Sequence, residues 1–357
     1  MSHPEPHRVL TGDRPTGPLH LGHYFGTLQN RVRLQDDGAD LMVLVADLQT
    51  IIDRDSPASL PEDVDGLLAD HLAVGIDPDR ASIFAHSQVE ALNGLLVPFL
   101  SLVSVAELSR NPTVKDELAA AGLASMPGLM FTYPVHQAAD ILFCKATLVP
   151  VGRDQLPHLE VARLIARRFN RRYSPERALF PEPAPLLGDA PALLGTDGQK
   201  MSKSRGNAIA ISATADETAR LIAGAKTDAE RDIAYDPSRR PEVSNLVLLA
   251  ALCLEREPEE VAAEIGGRGS QALKRLVTEA VNERFRDIRA RRADLIGDPG
   301  HLRRILRDGT ARAREIADET LQEVRARMHT DYPVTAPTRP APPRPRPRRA
   351  AHAARTA

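Results

Sequence analysis

Four short apolar runs punctuate the first half of the chain: RVLTG (Arg8 to Gly12), LMVLVAD (Leu41 to Asp47), ASIFAHS (Ala81 to Ser87) and TLVPVG (Thr147 to Gly152). Each has the length of a strand, and each gap has room for a helix. In one gap Pro61 opens a segment whose Val64, Leu67, Leu68 and Leu72 form a single apolar stripe before Gly75. Proline in the first turn and glycine after the last are helix punctuation. Strands alternating with helices pair most simply in parallel, through right-handed crossovers, and such sheets bind ligands at the carboxyl ends of their strands. From about Ile211 onward only helical periodicity remains, in SNLVLLAALCLE, QALKRLVTEAVNERFRDIRARRADLIG and HLRRILRDGTARAREIADETLQEVRARM. The expected organisation is an α/β domain over residues 1–206, an all-helical domain over 207–332 and a tail over 333–357.

The tail holds six arginines, seven prolines and no acidic residue. It has no apolar periodicity with which to build a core and reads as disordered, either a solvated extension or a basic arm for nucleic acid. The formal charge is −2 overall, so residues 1–332 carry −8. A polyanionic partner would therefore need a local surface. Between Arg268 and Arg292 eight basic residues (Arg268, Lys274, Arg275, Arg284, Arg286, Arg289, Arg291, Arg292) face three acids, Glu279, Glu283 and Asp287. No apolar run approaches the ~20 residues of a membrane-spanning helix, and MSHPEPHRVL lacks the apolar middle of a signal peptide. Two cysteines far apart, Cys144 and Cys253, suit a reducing compartment and argue against a zinc cage. The expectation is a cytoplasmic protein.

The stretch GDRPTGPLHLGHYFGTLQNR (Gly12 to Arg31) follows the first strand. Its loop presents backbone N–H groups and the positive end of a helix, which suits a phosphate. His20 and His23 lie three residues apart on one helical side, with Gly22 between them leaving room for a flat ring. Two imidazoles there can donate hydrogen bonds to charge that develops on an attacked nucleotide. Some 180 residues later GTDGQKMSKSRGN (Gly195 to Asn207) places Lys200 and Lys203 around Met201 and Ser202 on a glycine-flanked loop. Lysines so placed can reach a triphosphate and neutralise departing pyrophosphate. Together, His20-Leu21-Gly22-His23 and Lys200-Met201-Ser202-Lys203-Ser204 resemble the two ATP motifs of class I aminoacyl-tRNA synthetases. In FTYPVHQAADILF (Phe131 to Phe143), Tyr133, Gln137 and Asp140 stand at i, i+4 and i+7 and share a helical face. A carboxylate there can accept a hydrogen bond from an indole N–H or a phenol O–H; the residues alone leave both open.

To about residue 330 the chain looks like a bacterial tryptophanyl-tRNA synthetase. The stretches that carry this are TGDRPTGPLHLGHY, LAVGIDP, ELSRNPTVK, YPVHQAADIL, VPVGRDQLPHLE and GTDGQKMSKSRGNAI. The resemblance implies a Rossmann-like parallel-sheet catalytic domain, an anticodon-binding helical domain and a homodimer. It implies that Asp140 reads the indole N–H and that Tyr133 and Gln155 lie near the substrate amino group; Gln137 is placed in the tryptophan pocket by the helical face it shares with Tyr133 and Asp140. It implies that Lys115 approaches the ATP phosphates and that Asp154 lies by the ribose. Lys200, Lys203, His20, His23 and Lys115 are then the catalytic candidates. Arg14, Pro15, Thr16, Gly22, His23, Gly152, Arg153, Asp154, Leu193, Lys200, Met201, Ser202, Lys203 and Ser204 are the ATP-binding candidates.

Three positions depart from the usual pattern. Many members have methionine where Gln137 stands, Arg14 replaces a common glutamine and Arg153 a common acid; these match a branch that opens with GDRPTG. The Tyr-x-x-x-Gln-x-x-Asp spacing also resembles tyrosyl-tRNA synthetases. A small nucleotidyltransferase shares the His-x-Gly-His loop but usually lacks a long helical C-terminal region, and a synthetase-like protein that does not charge tRNA is a further alternative. The implied reaction is formation of tryptophanyl-adenylate from L-tryptophan and ATP, then transfer to tRNA(Trp). Mg²⁺ is expected to be held by the ATP phosphates rather than by a protein cage. No editing domain is needed, because a site built to hydrogen-bond a polar substrate group rejects an analogue lacking it by roughly 10⁴–10⁵.

Overall fold

The computed structural model describes residues 7–53, 59–111, 125–152, 155–187 and 193–332. Its centre is a five-stranded parallel sheet in the order β3-β2-β1-β4-β5, formed by β1 (Arg8–Asp13), β2 (Asp40–Val45), β3 (Ala81–Ala85), β4 (Leu148–Val151) and β5 (Ala184–Leu187). The four apolar runs are four of these strands. The fifth, APLL, is short and carries a proline, and its sequence gives no strand pattern.

Alternation along the strands splits the core between the two faces of the sheet. Val9, Leu41, Val43, Val45, Ala81 and Ile83 join one apolar cluster, while Leu10, Met42, Leu44, Phe84 and Val149 join the other. On the first face lie the helical stretch after β1 and the helix α4 (Leu60–Val74), whose closing Gly75 bonds back to the carbonyls of His71 and Leu72. That stretch is not one regular helix. It runs as α1 (Leu21–His23), a π-helical turn at Tyr24–Leu28 and α2 (Gln29–Asp36), the kind of irregularity that often marks a functional site. Asp47 does not end a strand; it begins α3 (Asp47–Asp53). The other face is packed by α5 (Glu90–Leu100), α7 (Gly128–Leu142) and α8 (Leu156–Tyr173), with the short α6 (Val105–Ser109) alongside.

The helical half contributes to both faces. Helices α9 (Ala215–Ala223), α10 (Pro241–Leu254), α11 (Pro258–Ile265) and α12 (Gly269–Ile296) extend the first cluster, whereas α13 (Pro299–Arg327) gives Leu302 to the first and Ala313, Ala317, Leu321 and Val324 to the second. Helix α13 lies against the edge strand β3. Thr310 Oγ1 accepts the Ala85 N–H at 3.2 Å, and Thr320 Oγ1 donates to the Phe143 carbonyl at 2.6 Å. The approach requires glycine at 309, because a Cβ there would stand 2.1 Å from the Ile83 carbonyl oxygen. No helix among the described residues is long and apolar enough to cross a membrane.

Candidate active site

The strand order reverses at β1, which has β2 on one side and β4 on the other. A crevice at the carboxyl ends of the strands is the expected ligand position. The loop after β1 starts from a buried ionic knot: Asp13 pairs with Arg31, and accepts from or pairs with His71 Nε2 at 2.9 Å. Burial raises the Asp13 pKa, but Arg31 and His71 outweigh it and hold the carboxyl well below its usual range. A second carboxylate, Asp70, accepts the Leu19 N–H at 2.9 Å and pairs with Arg292 of α12. The loop is thus fixed at both ends by charge.

The two motifs far apart in sequence meet here. Leu21 N–H donates to the Ile209 carbonyl at 3.0 Å and Ile211 N–H to the Leu19 carbonyl at 2.9 Å. Lys203 Nζ donates to the Gly17 carbonyl at 2.7 Å and approaches Thr16 Oγ1 at 3.4 Å. Met201 is buried and lies over Gly22, where a Cβ would sit 3.0 Å from His20 Nδ1 and 3.6 Å from Met201 Sδ. Asn207 sets the second loop, accepting the Ser202 N–H and donating to Asp197 and to the Lys200 carbonyl. Leu193 is buried, and its carbonyl accepts from Met201 N–H at 3.4 Å.

The rings of His20 and His23 stack obliquely, 3.8 Å between centroids. Burial, then His23 and Lys203, takes the His20 pKa down to about 3; burial and nearby cations take that of His23 to about 4. Both are therefore neutral donors rather than cations at neutral pH. The His20 backbone N–H donates to His23 Nδ1 at 3.2 Å, which places the His23 ring proton on Nε2. His20 Nδ1 is buried and has no hydrogen-bond partner among the described residues. Neutral N–H donors beside one lysine suit a polyphosphate.

Arg14 is exposed, Pro15 buried and Thr16 half-buried on the first loop; Gly152 is exposed at the end of β4, its carbonyl accepting from Gln155 N–H at 3.0 Å. Lys200 is exposed, and Ser204 lies in the short helical turn Lys203–Arg205. Lys115, Arg153 and Asp154 lie outside the described residues.

The YPVHQAADIL segment lies within α7. Tyr133 is buried, its hydroxyl 2.7 Å from His158 Nε2, while His158 Nδ1 lies 3.2 Å from Asn111 Nδ2. Gln137 is half-buried. Asp140 is 1% exposed. Its Oδ2 accepts from Gln49 Nε2 at 3.5 Å, whereas Oδ1 has no hydrogen-bond partner among the described residues. Burial raises its pKa well above the usual carboxylate range, only partly offset by Gln49, and Asp47 adds to the rise. Around it stand His86 and His136, both buried, which sequence reasoning did not single out. A usable signal existed: Asp47 and His86 follow the ends of β2 and β3, the strand ends where a parallel sheet puts its ligands.

A sequence profile described as tRNA synthetases class I (W and Y) matches residues 2–286. The chain belongs to this family. The synthetase is 40% identical over 331 residues to the tryptophan–tRNA ligase of Clostridium longisporum, covering 91% of this chain and 97% of the relative. It is 42% identical over 330 residues to that of Treponema pallidum, covering 90% and 96%. Among solved structures, tryptophanyl-tRNA synthetase from Campylobacter jejuni complexed with ADP and tryptophan superposes with a TM-score of 0.79 at 31% identity, covering 90% of this chain and 99% of that one.

The basic stretch on α12 is largely turned to structural use. Arg289 donates to Asn282 and Thr218, Arg291 donates twice to the Ala73 carbonyl, and Arg292 pairs with Asp70. Arg284 and Arg286 pair with Glu255 and Glu283, and Lys274 donates to the Ala223 carbonyl. A count of charges along the chain overstated the surface free for nucleic acid.

Proposed function

We propose that this synthetase ligates L-tryptophan to tRNA(Trp) in two steps, through tryptophanyl-adenylate. The observation that carries tryptophan is the buried, unpartnered Oδ1 of Asp140 on α7. A buried acceptor left unmade is costly, and an indole N–H satisfies it. Tyr133, Gln137 and Gln155 complete this pocket in the same reading.

ATP lies across the junction of the two loops. Arg14, Pro15, Thr16, Gly22, Gly152, Leu193, Met201, Ser202 and Ser204 form its surroundings, with Arg153 and Asp154 assigned by resemblance alone. The tryptophan carboxylate is already ionised, so attack on the α-phosphorus needs no side-chain base; positioning and charge stabilisation suffice. His20 and His23 donate from neutral rings to phosphate oxygens, and Lys200, Lys203 and Lys115 balance the charge that gathers on departing pyrophosphate. Mg²⁺ accompanies ATP on its phosphates. The ribose hydroxyl of the tRNA end then takes the aminoacyl group. Residues 207–332 carry the tRNA contacts, and Lys274 and Arg275, beside a surface hollow on α12, are candidates for them. We further read the enzyme as a cytoplasmic homodimer.

The deciding experiment is ATP–pyrophosphate exchange with each of the twenty amino acids. Exchange is expected with tryptophan and negligible with tyrosine and phenylalanine. Comparable exchange with tyrosine would overturn the reading.

A further inference from the structure

The groups around Asp140 close a ring whose proton placements constrain one another. Gln49 Nε2 donates to Asp140 Oδ2 at 3.5 Å, so Gln49 Oε1 is the acceptor facing His86 Nδ1 at 3.3 Å. The His86 ring proton therefore sits on Nδ1. His86 is neutral, burial and then His136 taking its pKa down to about 3, so its Nε2 offers a lone pair. Nε2 of His136, 3.1 Å away, must be the donor to it. Oδ1 of Asp140 lies 3.3 Å from the same His86 Nε2. That contact lacks hydrogen-bond geometry, because Nε2 is directed at His136, and Oδ1 stays without a partner.

We propose that His136, acting through His86, keeps Asp140 Oδ1 an open acceptor and so sets the demand for a substrate ring that bears an N–H. The proposal rests on the reading of Asp140 as the indole acceptor. His136 is a positioning residue in this scheme; its N–H holds the His86 Nε2 lone pair in a direction away from Asp140 Oδ1. Without its N–H, the His86 Nε2 lone pair is orphaned in a buried site and the ring is free to turn it towards Oδ1, 3.3 Å away. A proton taken from solvent onto Oδ1 relieves it, forming O–H···Nε2, and Oδ1 no longer accepts from the substrate. The raised pKa of Asp140 favours that proton.

The test compares tryptophan with β-(3-benzothienyl)alanine, in which sulfur replaces the indole N–H, by kcat/KM in pyrophosphate exchange. His136→Leu is expected to lower the preference for tryptophan about tenfold, through KM for tryptophan, with little change for the analogue. His136→Gln, whose amide N–H can still donate, is expected to restore the preference. A purely structural role would weaken both substrates alike, and an unchanged ratio in His136→Leu overturns the proposal. If the wild-type enzyme shows no preference, or Asp140→Ala leaves it intact, the indole-acceptor reading itself fails and the proposal with it. A measurement on the wild-type protein stands apart from any folding defect of the variants. Imidazole ¹⁵N shifts are expected to show His86 protonated on Nδ1 and His136 on Nε2, and the opposite tautomer at His86 overturns the proposal.

Discussion

At the scale of single residues, Asp140 carries the sharpest consequences. Asp140→Ala is expected to weaken tryptophan binding by about 1–3 kcal/mol, read as Kd by equilibrium dialysis, because the indole donor is left unpaired. Only the ionised carboxylate accepts through both oxygens, and its pKa is raised by burial. KM for tryptophan is therefore expected to climb as pH falls through a range above the ordinary ~4 of an aspartate. His86 and His20, at about 3, and His23, at about 4, stay neutral through that range and do not confuse the profile. A flat profile in Asp140→Asn, against a rising one in the wild type, checks the assignment. For the fold the sign is reversed. The native state holds the Asp140 proton more tightly than the unfolded chain, so its contribution is complete below the ordinary range and is lost as pH rises through the raised value. Asp13 is the opposite case, its contribution present above the ordinary range and lost on acidification. Lys203 belongs to the other half of the reaction. Lys203→Ala is expected to slow single-turnover adenylate formation far more than it weakens tryptophan binding, since its partner charge develops on the leaving group.

At the scale of elements, the runs that became β1 to β4 were legible because a strand buried on both faces needs an unbroken apolar run, and the α4 cap because proline and glycine punctuate helices for local reasons. The π-helical turn at Tyr24–Leu28 was not legible, and neither was the packing of its Tyr24 ring on Phe285 of α12, an edge contact at 4.8 Å between residues far apart in sequence. The stripe of Tyr133, Gln137 and Asp140 could be read from helical spacing. The His86–His136 pair could not, since its members come from a strand end and a helix that only the fold brings together. The same holds for Arg291 and Arg292 of α12, which look solvent-facing in a count of charges and instead grip Ala73 and Asp70 across more than 200 residues of sequence. Gly309 offers an element-level test. Gly309→Ala forces a methyl into the β3 backbone, where neither partner can rotate away, and is expected to destabilise the protein by about 3 kcal/mol. Chemical denaturation with tryptophan-independent probes measures it.

At the scale of the whole molecule, the change from mixed to purely helical pattern near residue 207 is a change of composition, while the packing runs straight through it. Helices α9 to α12 complete one face of the sheet, and α13 adds Leu302 to that face and completes the other. Two truncations separate these ideas. Ending the chain after Tyr332 is expected to leave thermal stability and pyrophosphate exchange unchanged, because every motif residue precedes that point and the proline-rich sequence beyond it has no apolar periodicity with which to pack. Ending it before Pro299 removes α13 and is expected to abolish the cooperative thermal transition. If the arginines after Tyr332 touch tRNA, the shorter loss raises KM for tRNA and flattens its salt dependence, checked by aminoacylation at two salt concentrations.

The hydrogen bond from Ala85 to Thr310 spans 225 residues, and it gives biosynthesis an order. A chain made from its N-terminus at about 5–20 residues per second waits roughly 11–45 s between completing β3 and producing the helix that shields its edge. Throughout that interval the nascent protein presents the uncovered edge of an apolar strand to its neighbours on the same message. Ribosome-bound chains halted before Thr310 should therefore recruit holding chaperones, and release should follow only when the last helix arrives.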